Sequence, residues 1–176
     1  MDRKEDISSV TGRLKMMCSR REYSVSDVMK KALSALHADK ELASKVVDEL
    51  VAEGYVDDFR YASAYARDKS SIAGWGSAKI RYMLAAKGVA RDVIDRALGE
   101  VDESKADARM ENLLRNKCRT LKNDPQVKVK LLRFAVGRGY SYEESSRIIN
   151  MLIEDNEEYE YKSFIKELIK FIFNKD

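Results

Sequence analysis

Apolar residues return along this chain at a fixed distance and in a fixed pattern. Val46, Val47 and Leu50 form an i, i+1, i+4 set, and so do Ala97, Leu98 and Val101, and Ile148, Ile149 and Leu152. Each set marks one face of a helix. The three sets lie 51 residues apart, and Met29, Ile80 and Leu131 fall into a further column of the same period. His37, Gly88 and Gly139 align with them in a column that reads as a turn. A register kept across three copies, with apolar and turn columns together, predicts an internal repeat.

Each copy reads as three helices. In the middle copy they are predicted at about 58–70, 75–87 and 91–102. In "AAKGVARD", Gly88 can take the left-handed conformation that closes a helix, and Val89 follows as the apolar residue after the cap. "VGRGYSYEE" repeats the device with Gly139 and Tyr140, and Ser141 is placed to cap the next helix. In the first copy "YSVSDVMKK" opens the second helix, with Ser24 or Ser26 as its cap. In the third copy "KNDPQ" does so, with Asp124 capping and Pro125 at the first helical position.

The expected fold is all-α: tandem three-helix repeats in an elongated, curved array whose contacts run mostly between neighbours. The expected units are residues 1–56, 57–104 and 105–154. A tail, 155–176, contains the amphipathic stretch "YEYKSFIKELIKFIF". That stretch reads as one more helix, which covers the last repeat or offers an interface.

Composition agrees with helices. Charged residues make up 36% of the 176 residues, and Pro125 is the only proline. No apolar run approaches the roughly 20 residues of a membrane span. The start, "MDRKEDISSV", is charged and unlike a signal peptide, so a cytoplasmic protein is expected. Cys18 and Cys118 stand far apart and read as reduced thiols. The net charge of +3 does not by itself point to nucleic acid.

Catalytic chemistry finds little material. Asp57 and Asp58 are adjacent carboxylates, but they follow Gly54 and precede Phe59, Ala62 and Tyr65 on a helical face. One of them is expected as an N-cap, accepting hydrogen bonds from unpaired backbone N–H groups. His37 is the only histidine and sits at a turn, so neither a histidine-based triad nor a zinc cluster is expected. "IAGWGSAKI" lacks the Gly-Lys-Ser/Thr ending of a phosphate loop and has no strand before it. Gly74 and Gly76 are instead expected to form the turn into the second helix. Trp75 packs there or stacks on a base or partner. Tyr61, Tyr65 and Tyr82 are expected in the core and between repeats. No metal, cofactor or catalytic residue is assigned.

The segments "LVAEGYVDDFRYASAYARDKS" and "GWGSAKIRYMLAAKGVARDVIDRAL" resemble the central signature of the RecX family of bacterial recombination regulators. The elements of the resemblance are Gly54, Asp57, Asp58, Phe59, Ala62, Gly74, Gly76, Ile80, Leu84, Lys87 and Gly88. "YSVSDVMKKAL" and "LLRFAVGRGYSYEESSRII" resemble the family's first-copy and third-copy motifs, so the likeness runs over about residues 10–154. In "CSRREYS", Arg20 and Arg21 lie near the family's basic position, and residues 155–176 carry no motif of the family. The resemblance implies tandem three-helix repeats. It also implies a function: binding the RecA recombinase and its DNA filament, and inhibiting it, in recombination and DNA repair. A monomer without cofactor is expected, with weak direct DNA contact and no membrane. The alternative is a helical DNA-binding protein that acts independently of RecA.

Such a regulator needs a surface. Residues 105–138 hold ten basic residues against three acidic ones, whereas "EDNEEYE" (154–160) holds five acids and no base. Two basic columns recur at the repeat period, Lys79 with Lys130 and Lys87 with Arg138, and Arg133 adds to the third copy. With Trp75, these five residues are the expected contacts to the filament. None sits in an apolar column, so their exchange is expected to leave folding intact.

Overall fold

The computed structural model describes residues 7–121 and 124–173, with side chains through 154 and at 162, 165 and 166. Among the described residues it is built of α-helices alone. In chain order they are α1 (Ile7–Cys18), α2 (Val25–Ala35), α3 (Lys40–Ala52), α4 (Asp58–Ser71), α5 (Ser77–Ala86), α6 (Arg91–Gly99), α7 (Glu103–Thr120), α8 (Val127–Val136) and α9 (Tyr142–Phe173). Each successive trio encloses its own apolar core. Val10, Leu14, Val28, Ala32, Val46, Val47 and Leu50 fill the first. Ala62, Ala66, Ile80, Leu84, Ile94 and Ala97 fill the second, and Met110, Leu114, Leu131, Ala135, Ile149 and Leu152 the third. Among the described residues no single core runs through all nine helices, so each trio is a module, and α4 also packs against α7 of the next module.

The 51-residue register holds where helices must meet a core and slips where loops absorb length. It holds on the third helices and between α5 and α8, where Ile80 and Leu131 are both fully buried. In α2 the fully buried residues are Val28 and Ala32, and Val28 lies one position before Met29 of the expected column. The turn takes up the extra residue. Both His37 (φ 52°) and Ala38 (φ 64°) are left-handed there, where the later copies use one glycine, Gly88 (φ 79°) or Gly139 (φ 88°). Among first helices, Ala62 of α4 and Met110 of α7 are equivalent in depth yet 48 residues apart.

Three further expectations are corrected. α8 begins at Val127 with Gln126 as its cap residue. Asp124 accepts from the Gln126 N–H at 2.9 Å, and this closes a turn that contains Pro125, two positions before the first helical residue. Tyr82 is 73% exposed rather than packed, because it lies on the face of α5 opposite Ile80 and Leu84. The third copy's last helix and the tail are one helix of 32 residues, since no glycine or proline interrupts the sequence from Ser141 to Phe173. The tail's role as a cover depends on side chains outside the described residues. So do Lys122 of the basic run, the acidic run beyond Glu154, and the charged residues 1–6.

Candidate partner-binding surface

The two adjacent carboxylates do different jobs. Asp57 is the N-cap of α4: its Oδ1 accepts from Phe59 N at 2.7 Å and Arg60 N at 3.1 Å. Asp58 caps a helix of another module, accepting at 2.8 Å from the N–H of Val25, the first residue of α2. Ser24, the N-cap of α2, accepts from Asp27 N. The start of α2 is thus satisfied partly by its own module and partly by the next. Arg60 strengthens the same junction. It bonds Glu22 through Nε and Nη2, at 3.1 and 3.3 Å, and the Gly54 carbonyl through both Nη atoms.

Of the five cations in the expected stripe, three reach into the chain. Lys87 Nζ lies 2.9 Å from Asp27 of α2 and 5.9 Å from the Tyr61 ring centroid. The hydrogen bond to Asp27 raises the Lys87 pKa above its ordinary value. Arg138, one repeat further on, donates at 2.6 Å to the Ala73 carbonyl in the preceding module. Lys79 donates to the Gly137 carbonyl at 3.2 Å. The recurring column Lys87/Arg138 therefore links modules. Lys130 and Arg133 are exposed on α8. Lys130 pairs with Asp124 and lowers that carboxyl's pKa. Among the described residues Arg133 has no ion-pair partner.

Trp75 is half-buried. The Lys69 and Lys79 ammonium groups stand 5.0 and 4.6 Å from its ring centroid, and Tyr65 meets it edge-on at 6.5 Å. Cation–π contact thus occupies the ring. Phe59 is covered in the same way by Arg96 at 4.3 Å. Gly74 sits where an added Cβ would strike the Leu113 side chain of α7. Gly76 donates its N–H to the Arg138 carbonyl at 2.8 Å, and an added Cβ would strike the Gly139 backbone.

Sequence reading missed Asp27, Glu22, Arg60 and Arg109, whose guanidinium donates to the Ile72 carbonyl. Lys87 and Asp27 are 60 residues apart, and no local spacing pairs them. Among the described residues no group of three or more His, Cys, Asp or Glu is placed to hold a metal, and no helix is long and apolar enough to cross a membrane.

These features define a class: a tandem three-helix-repeat protein whose polar residues join modules and line an outer surface. The model of the second three-helix domain of RecX proteins matches residues 57–98. The regulatory protein RecX of Pseudomonas entomophila is 32% identical over 135 residues, covering 76% of this chain and 85% of that protein. The regulatory protein RecX of Clostridium botulinum strain Alaska E43 is 31% identical over 131 residues, covering 70% of this chain. This chain spans only 57% of that relative's length, and 50% to 54% of two other clostridial ones. The crystal structure of RecX from Lactobacillus salivarius superimposes with a TM-score of 0.74 at 21% identity, covering 84% of this chain and 97% of that one, a likeness of fold. The chain belongs to the RecX family.

Proposed function

We propose that this protein binds the RecA recombinase and its filament on DNA and inhibits recombinase activity in recombination and DNA repair. The observation that carries the reading is family membership, with alignment to a regulatory protein RecX over 85% of that relative. The motif resemblance in turn implies RecA as partner. In this reading the protein acts as a cytoplasmic monomer of three units, 1–56, 57–104 and 105–154, followed by the tail 155–176.

Lys130 and Arg133 meet the filament directly. Lys79, Lys87, Arg138 and Trp75 hold the modules that present them. The support is electrostatic: Lys130 and Arg133 are exposed on one helix, and long basic side chains keep their charged heads available to an acidic partner.

The test is RecA-dependent strand exchange with wild type and Lys130→Glu/Arg133→Glu. Wild type is expected to slow exchange, and the variant to lose most of that effect while keeping its helical circular dichroism. Capture of DNA but not of RecA, on DNA or free, would replace this reading with that of a RecA-independent DNA-binding protein.

A further inference from the structure

The first module carries a hollow that the filament reading does not use. Arg13, Met16, Met17, Arg20, Arg21 and Tyr23 line it, with a volume of about 380 Å³. Its floor is apolar: Met16 is 57% exposed, beside Met17 and the Tyr23 ring. Its rim is cationic. Arg21 stacks 4.4 Å from the Tyr23 ring centroid, and Lys31 of α2 approaches the same ring at 5.8 Å. Arg20 contacts the Met16 sulfur at 3.8 Å.

Two of these cations, Arg20 and Arg21, carry charge that no neighbouring carboxylate among the described residues takes up. From Ile7 to Val25 the only acid is Glu22, and it is turned away onto Arg60. Asp27, the next acid, is held by Lys87. Among the described residues neither Arg20 nor Arg21 has a carboxylate partner. An exposed thioether in a pocket rimmed by arginines suits a ligand with one large apolar group flanked by carboxylates. Methionine adapts its shape to such a group, and the guanidinium fork matches a carboxylate. The site is a compact hollow rather than a long basic track, which favours a peptide over a phosphate backbone.

We propose that the hollow between the end of α1 and the start of α2 is a docking site for an acidic peptide segment bearing a single large apolar anchor. The anchor seats on Met16 and Met17, and flanking Asp or Glu side chains pair with Arg20 and Arg21. This surface is separate from Lys130 and Arg133 and stands without the filament reading.

The test is fluorescence anisotropy on the full chain. The probe is a dye-labelled peptide of Asp and Glu around one central Phe, compared with its Ser-for-Phe counterpart and with labelled oligothymidylate. Saturable binding of the Phe peptide is expected, weakened about tenfold by Arg20→Glu/Arg21→Glu. Met16→Ser should weaken the Phe peptide and leave the Ser peptide unchanged. Lys130→Glu/Arg133→Glu should leave both unchanged. Arg20 and Arg21 are exposed, so circular dichroism should be the same in every variant. The proposal is overturned if the Phe peptide shows no saturable binding, or if the arginine variant binds it like wild type. It is also overturned if oligothymidylate binds more tightly than the peptide and loses that binding in the arginine variant, which would make the hollow a nucleic-acid site.

Discussion

The two junctions of this chain use one geometry with different chemistry. At both, the turn glycine of a module lies against the start of the preceding module's second helix: Gly88 against Ser26 of α2, and Gly139 against Lys79 of α5. At both, the cation before that glycine reaches back, Lys87 to the Asp27 carboxylate and Arg138 to the Ala73 carbonyl. The first junction is then completed by charge: Asp58 on the Val25 N–H, and Arg60 on Glu22. The second is completed by backbone. Gly76 and Ala78 donate to the Arg138 and Gly139 carbonyls, and Arg109 bonds the Ile72 carbonyl. A repeated column thus conserves a docking position while leaving free what the position bonds to. Carbonyl acceptors carry no formal charge for salt to screen or pH to remove, whereas carboxylate acceptors do.

The sharpest break in this comparison comes from the glycines. An added Cβ at Gly139 would strike Lys79 and would also sit at φ 88°. Overpacking costs about 1–3 kcal/mol, and the left-handed conformation adds about 1–2 kcal/mol. At Gly88 the nearest atom is Ser26 Cβ at 3.3 Å, so the conformational cost dominates. Gly139→Ala should therefore destabilise more than Gly88→Ala in urea unfolding. Equal losses would mean that backbone contact at the second junction contributes nothing.

The paired aspartates come next. Asp57→Ala should cost roughly 0.5–2 kcal/mol as a lost cap, and Asp57→Asn little. Asp58→Ala should cost a similar amount, about 0.5–2 kcal/mol, by leaving the Val25 N–H without its carboxylate. Its signature should differ. Hydrogen exchange should quicken at the start of α2, in another module, and not in α4. Faster exchange confined to α4 would remove Asp58 from the first junction.

The smallest effect is at Lys87. The pair with Asp27 is partly exposed, with 35% and 24% of the two side chains accessible, so solvent screens it to about 0–1 kcal/mol. The folded-state pKa of Lys87 is raised. Its contribution is therefore complete below the unfolded lysine value of about 10.4 and is lost as pH rises through the higher folded value. Lys87→Met should flatten that alkaline loss and reduce the salt dependence of stability, whereas Arg138→Met should leave both as in wild type. A double-mutant cycle with Asp27→Asn isolates the pair.

Much of the local structure was legible before any coordinates. Ser141 caps the helix it was expected to cap, Ser24 and Asp57 are the members of the expected pairs Ser24/Ser26 and Asp57/Asp58 that cap theirs, and Gly88 and Gly139 close theirs in the left-handed region. Each of these depends on residues within four positions, where spacing alone defines the geometry. The candidate surface was less legible. Lys79, Lys87 and Arg138 looked like a free stripe because they repeat, yet repetition equally marks residues that join one module to the next. Tyr82 looked like core because it is aromatic, and the phase of α5 turns it outward. Only Lys130 and Arg133 keep the exposure expected of them.

By itself the sequence determined the all-helical class, the three-fold repetition, the Ser141 cap, a choice of two caps each for α2 and α4, and the turn glycines of the second and third modules. All of these follow from periodicity and from backbone preferences that act within a few residues. The tertiary structure alone decided which cations are available to a partner. It also decided that Asp58 serves a helix in another module, and that Arg20 and Arg21 flank an apolar hollow. The first two outcomes turn on which side chains meet across 33 to 65 residues of chain, and no local preference specifies such a meeting; the hollow forms within residues 13–23, where the turn from α1 into α2 sets which side chains come together.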